Sequence, residues 1–278
     1  MDTCLFSGAT DLGEPQDTAQ SPPMLDAPGR AMASLERVLL AQHPCQLQYS
    51  SGKDSSACAN LLFNAAINIM AKGHPCPPIH VCHADTGVEN PVVRALADAE
   101  LYRMCQFASE HGIPVRTHIG RPTLGASYST RVLGGRALPP LPLGVRDCTS
   151  DWKILPSERI TRKVMNEAHA SGVALVTIIG TRSSESIARR INTAKRGESA
   201  TGVWFGSKGQ AMLSPILDWS TDDVWQYLGE CGAGLRKSYS DFQQLIEFYS
   251  GAAGGECVVV AELKPASTSA CGAIDPAR

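Results

Sequence analysis

Apolar runs alternate with helix-periodic stretches along most of this chain. Four runs read as strands: 45-CQLQYS-50, 79-IHVCHA-84, 113-IPVRTHI-119 and 173-VALVTIIG-180. The last is continuously apolar, which predicts a strand covered on both faces. Between and before them lie helical patterns. Residues 30–42 place Met32, Leu35, Val38 and Leu39 on one face, and residues 55–71 do the same with Cys58, Leu61, Leu62, Ala65 and Ile69. Residues 91–111 open with Asn90 as a predicted N-cap and Pro91 at the first helical position. Residues 155–171 space Ile160, Val164 and Ala168 four apart. Strand and helix in alternation predict an α/β fold with a doubly wound parallel sheet. In such sheets ligands bind beyond the carboxyl ends of the strands.

The flanks behave differently. Residues 1–29 are rich in Pro, Gly, Asp and Ser without a period, and predict a flexible leader. Residues 121–147 hold Pro122, Gly134, Gly135, Pro139, Pro140 and Pro142, the signature of a long irregular loop. Residues 229–278 are Gly-rich and weakly periodic, and read as a Cys-containing C-terminal tail. The predicted organisation is thus a leader (1–29), an α/β domain (30–228) and that tail.

Composition narrows the class. The 278 residues are 43% hydrophobic and 19% charged, enough apolar content for a sizeable core. The net charge of −2 does not mark the whole chain as a nucleic-acid binder, although local basic clusters can still attract phosphate. Ten cysteines include no CxxC pair, which argues against zinc ribbons and thioredoxin-like sites. The first twelve residues lack a basic start and a long apolar run, and no stretch approaches the ~20 apolar residues of a membrane span. The expected setting is the cytoplasm, with thiols reduced and no membrane contact.

The chemistry concentrates after the strands. Ser50, Ser51, Gly52, Lys53, Asp54, Ser55 and Ser56 follow the first strand and open a helix. Small residues let backbone N–H groups approach phosphate oxygens, and the helix N-terminus adds positive potential. Lys53 supplies a full charge. Asp54 suits a carboxylate that orients the turn or holds Mg²⁺. The stretch is not a Walker A loop, because Lys53 is followed by Asp. After the second strand come Asp85 and Thr86. Further on, Arg146 and Lys153 bracket Cys148, and basic neighbours lower a thiol pKa and bind anions. After the fourth run come Gly180, Arg182, Glu185 and Arg189, either a solvated ion-pair face or an arginine site for an anion. Thr221 is the expected cap of a later helix, with Asp222 and Asp223 in its first turn and Trp225 and Leu228 in the core.

In this order the segments resemble a known superfamily. Residues 50–56 are similar to the S-G-G-x-D-S loop of the PP-loop ATP pyrophosphatases, with Ser51 in place of the first glycine. The stretch 83-HADTGVENP-91 resembles the Asp-Thr-Gly segment of PAPS reductases, and its Glu-Asn-Pro continuation is closer to the Dnd-type DNA phosphorothioation sulfurtransferases. R-x-C-T-x-x-x-K-x-x-P at 146–156, G-x-R-x-x-E-S-x-x-R at 180–189 and the segment 214–228 match the same superfamily. The likeness spans roughly residues 45–260.

The resemblance implies an adenine nucleotide alpha-hydrolase-like fold that splits ATP between its α and β phosphates. It implies catalytic roles for Lys53, Asp54, Asp85 and Cys148, and nucleotide contacts from residues 50–56, Asp85, Thr86, Arg146, Lys153, Gly180, Arg182, Glu185 and Arg189. In the Dnd-type branch a DNA backbone phosphate is the substrate, a cysteine desulfurase donates sulfur, and other DNA-modification subunits take part. Gly-Glu-Cys at 255–257 and Ser-x-Cys-Gly at 269–272 resemble that branch, which is associated with a [4Fe–4S] cluster. The matching ligands are Cys148, Cys257 and Cys271, with Cys231 a candidate for the fourth. Val258 after Glu256–Cys257 departs from the Glu-Cys-Gly of PAPS and APS reductases, the alternative sulfite-forming enzymes. A nucleotide-binding subunit of a defence or modification complex, with the fold kept and the chemistry lost, is the alternative of another class.

Overall fold

The computed structural model describes residues 26–138 and 149–250. Its centre is a six-stranded, mostly parallel sheet flanked by helices. The strands are β1 (Cys45–Tyr49), β2 (Ile79–Ala84), β3 (Val115–Gly120), β4 (Val176–Ile178), β5 (Trp204–Phe205) and β6 (Ala211–Leu213). They lie in the order β3-β2-β1-β4-β6-β5, and only β5 runs antiparallel to its neighbour. The order reverses between β1 and β4, so the ends of these strands form the crevice where ligands of open α/β sheets bind.

The helices are α1 (Ala27–Leu40), α2 (Lys53–Ala71), α3 (Pro91–Glu110), α4 (Leu155–Ala170), α5 (Ile187–Arg196), α6 (Thr221–Gly232) and α7 (Gln243–Ser250). Asp26 caps α1 through the Gly29 amide, and Pro28 stands in its first turn. The helix therefore begins three residues inside the predicted leader. Asn90 caps α3 through the Val92 amide, as its position before Pro91 predicts. The cap of α6 is Ser220 rather than Thr221. Its hydroxyl accepts the Asp223 amide while Asp223 accepts the Ser220 amide, a reciprocal box that Thr221 is one residue too late to form.

The two faces of the sheet are unequal. Cys45, Leu47 and Tyr49 of β1, with Ile79 and Val81 of β2, join the large core beneath α1, α2, α3 and α6. The opposite side chains are polar. Gln46 and Gln48 both donate to Thr161 of α4, and His80 pairs with His118 at 3.0 Å. Val164, Ala168 and Leu175 form only a small apolar cluster there. The apolar run at 173–180 is strand only over Val176–Ile178. Leu175 turns to the small cluster, and Gly180 leaves the sheet toward α2.

The C-terminal stretch is not a tail up to Ser250. Cys231, Tyr239, Phe242 and Leu245 are buried in the large core. Asn60 of α2 fixes this stretch by donating to Tyr227 Oη and the Lys237 carbonyl and accepting the Tyr239 amide. Weak periodicity concealed it, because a chain of short turns buries single side chains without a repeat. Within the predicted loop after β3, residues Leu124–Ala126 and Ser129–Leu133 form helical turns, and Trp152 pins them by donating to the Ala126 carbonyl.

Candidate functional site

The turn between β1 and α2 crosses the crevice. Ser51 has φ +60°, a conformation that costs a non-glycine residue on the order of 1 kcal/mol or more. It is buried, and its hydroxyl has no hydrogen-bond partner. Strain and an orphaned polar atom thus coincide at Ser51. Ser55 holds the turn together: its hydroxyl donates to the Gly52 carbonyl, receives the Ser50 amide and lies 3.1 Å from the Ser50 hydroxyl.

Helix α2 opens on Gly52, which has no side chain to accept the first amides. By contrast α1, α3, α5 and α6 are capped by Asp26, Asn90, Ser186 and Ser220. Among the described residues no side chain caps the first amides of α2, and a helix N-terminus favours an anion.

Lys53 and Asp54 are tied into the fold. Lys53 is 6% exposed. Its ammonium lies 3.4 Å from Asp54 Oδ2 and 5.3 Å from the centre of the Tyr249 ring. Asp54 Oδ1 accepts a 2.6 Å hydrogen bond from Arg182 Nε. Arg182 is 2% exposed, and its Nη1 also donates to Ser184 Oγ and Thr221 Oγ1. Gly180 makes this join feasible. A Cβ there would sit 3.0–3.1 Å from the backbone of Asp54 and Ser55, so the end of β4 packs directly on the first turn of α2.

Arg182 thus belongs with Asp54, apart from its predicted neighbours. Glu185 and Arg189 pair with each other at 2.8 Å on the surface. Asp54 is held between two cations, Lys53 and Arg182.

A second charged group stands beyond β2 and β3. Asp85 is buried, and its Oδ1 accepts the Gly87 amide. Its Oδ2 lies 2.9 Å from Arg121 Nε and 3.4 Å from an Arg94 guanidinium nitrogen. Burial pushes this carboxyl up, yet the Arg121 hydrogen bond, the Gly87 amide and Arg94 outweigh it and hold it below the ordinary carboxylate range. Two arginines thus engage Asp85. Thr86 accepts the Val88 amide. Arg94 and Arg121 escaped the sequence reading, although Arg121 directly follows β3 and so obeys the rule used for the other candidates.

Lys153 lies elsewhere, on the polar face. With Gln48, Ser157, Glu158, Thr161 and Thr177 it lines a cavity of about 250 Å³. Arg146, Cys148, Cys257 and Cys271 lie outside the described residues. Among the described residues no three His, Cys, Asp or Glu side chains are gathered to hold a metal.

Cys231, the candidate for a fourth ligand, lies in the large core. It is buried beside Asn60, whose amide donates to it, and burial pushes its thiol up to about 11. Cys45, Cys58 and Cys82 are likewise buried thiols raised by burial, Cys82 to about 12. Among the described residues, no helix is long and apolar enough to cross a membrane.

The chain matches no protein-family model and no curated protein. Loose likenesses exist among solved structures. The U34-tRNA thiolase NcsA from Methanococcus maripaludis, solved with its [4Fe–4S] cluster, aligns at TM-score 0.43 and 16% identity, over 82% of this chain and 72% of its own. NAD+ synthetase from Burkholderia pseudomallei aligns at TM-score 0.43 and 15% identity, over 81% of this chain and 86% of its own. FMN adenylyltransferase from Candida glabrata, in complex with FMN and the ATP analogue AMPCPP, aligns at TM-score 0.38 and 10% identity, over 72% of this chain and 55% of its own.

Proposed function

We propose that this chain is an ATP-using enzyme of the PP-loop type that forms an adenylate and releases pyrophosphate. One observation carries the reading: a strained, small-residue turn at the strand-order reversal opens an uncapped helix, with Lys53 at its first position. The loop amides and Lys53 would bind the β and γ phosphates and stabilise pyrophosphate as the Pα–O bond breaks. Asp54 and Arg182 would hold the loop against the end of β4. ATP would arrive as its Mg²⁺ complex, so the metal counts as part of the substrate. Both candidate carboxylates, Asp54 and Asp85, are engaged by cations, and no step is assigned to a resident metal. Cys148, Cys257 and Cys271 lie outside the described residues, and no step is assigned to a cluster.

Within that chemistry we infer a DNA backbone phosphate as the acceptor. Its oxygen attacks the α phosphate, and AMP then becomes the leaving group. A persulfide from a cysteine desulfurase partner displaces AMP at phosphorus, and a second thiol cleaves the resulting S–S bond, leaving a phosphorothioate. The sequence resemblance supports this branch, and the exposed outer faces of Arg94 and Arg121, beside the loop's edge of the sheet, offer cations to a second phosphate.

The test is product analysis of ATP turnover with Mg²⁺, with and without DNA, using Lys53→Ala as control. AMP and pyrophosphate, stimulated by DNA and lost in the control, are expected. ADP and phosphate would overturn the adenylation reading. Nucleotide binding without turnover, in the presence of DNA and the desulfurase, would favour a silent nucleotide-binding subunit.

A further inference from the structure

Among the described residues, very little packs on helix α5. Its ends are fixed locally instead. The Ser186 hydroxyl accepts the Arg189 amide at the start, and Gly197 closes the end in a left-handed conformation with φ +64°. Thr193 is buried, and every other position from Ile187 to Arg196 is exposed. A helix this short is marginal by itself in water, and one buried threonine adds little to it. Its sequence, IARRINTAKR, carries four cations and no acid, in a chain whose net charge is −2.

The exposed surface has an order. At 3.6 residues per turn, Ile187, Ile191 and Lys195 share one face, opposite Thr193. Ile187 is 71% exposed and Ile191 48%. Arg190 falls on one flank of this crest and Arg196 on the other. Arg196 pairs with Glu198, and Arg189 with Glu185. Among the described residues Arg190 and Lys195 enter no ion pair. The helix also lies close to the candidate site in sequence. It starts soon after Arg182, whose Nε donates to Asp54 at the phosphate turn.

A surface built for phosphates alone would carry its cations on the crest. Here the crest is mainly apolar and the arginines flank it. The major groove of DNA admits an α-helix, displays thymine methyls and guanine acceptors inside, and is bordered by phosphates on both sides. Resting on the reading of DNA as the acceptor, we propose that α5 is a DNA-reading helix that enters the major groove. Ile187 and Ile191 meet thymine methyls, Lys195 reaches a guanine edge, and Arg190 and Arg196 hold the phosphates that border the groove. The four cations also supply attraction that the net charge of the whole chain does not.

The probe is an A·T-rich duplex of mixed sequence, made once with thymine and once with uracil, which lacks the methyl. Binding to the full chain is followed by fluorescence anisotropy over a salt series, with melting temperatures recorded to verify folding. The wild type is expected to bind the uracil duplex about four-fold more weakly, the worth of one buried methyl. The double variant Ile187→Ala, Ile191→Ala is expected to bind both duplexes alike. Arg190→Ala is expected to weaken both about ten-fold and to lower the salt slope by about one. Equal wild-type affinity for the two duplexes, or wild-type affinity and slope in Arg190→Ala, would overturn the inference and leave α5 as a docking face for a protein. If DNA still stimulates release of AMP and pyrophosphate in that case, the acceptor reading survives. If the wild type binds no DNA and its turnover ignores DNA, both fall.

Discussion

Asp54 and Asp85 follow neighbouring strands at one edge of the same sheet, and both are held by arginine. The similarity ends with the arginines. Arg182, on Asp54, is 2% exposed and donates to three residues from three segments of the chain. Arg94 and Arg121, on Asp85, are 50% and 64% exposed and make one contact each with it. A buried ion pair is indispensable because losing one partner strands a charge in a medium that cannot solvate it. A surface pair contributes little, and its cations stay available to whatever arrives from solution. The first aspartate belongs to the scaffold of the site and the second to its rim.

The sharpest way to break this contrast is Arg182→Ala. It should cost about 3–5 kcal/mol, read by urea denaturation, because Asp54 is left with Lys53 alone at 3.4 Å and the Ser184 and Thr221 hydroxyls lose a charged donor. A loss below ~1 kcal/mol, the scale of a surface pair, would erase the distinction. Next in size is Ser51→Gly. It relieves a left-handed backbone and removes a buried hydroxyl without a partner, so stability should rise by about 1–2 kcal/mol. Pyrophosphate affinity measured on the same protein shows whether that hydroxyl serves the ligand instead.

Arg121→Ala, at the rim, should cost no more than about 1 kcal/mol, and less in high salt. On the proposed DNA-phosphate reading it should also weaken DNA binding and reduce the salt dependence of that binding. The smallest effect is acid sensitivity. Because the folded state holds Asp85 below its ordinary range, its contribution is complete above the unfolded value and is lost as pH falls through the folded one. Asp85→Asn should therefore lower stability at pH 7 and flatten the profile on the acid side of about pH 4, the difference from wild type shrinking as pH falls.

Much of the α/β scaffold was legible because its strands and helices have periods. The turn at 50–56 was legible because small residues, a lysine and an aspartate stand between an apolar run and a helix. The partners of that turn were not. Arg182 was grouped with Glu185 and Arg189 by helical spacing, whereas the close approach at Gly180 turns it toward α2. The pairing of Asp85 with Arg121 depends on β2 and β3 being neighbours, a property of strand order that no local pattern encodes. Tyr249 lay in a stretch without a period. The polar face under α4 also escaped notice, although Gln46, Gln48, His80 and His118 alternate openly along their strands. Which of them share a face follows from the register of neighbouring strands.

On the phosphate-loop reading, the missing side-chain cap of α2 makes the ligand part of the fold's own thermodynamics. A helix whose first amides bind an anion would be completed only in the complex, so the melting temperature would become a gauge of occupancy. At a hundred times the dissociation constant a bound phosphate chain would add about 2.7 kcal/mol. Protein purified free of anions would then be at its most fragile, and phosphate in a storage buffer would act as an unrecognised stabiliser.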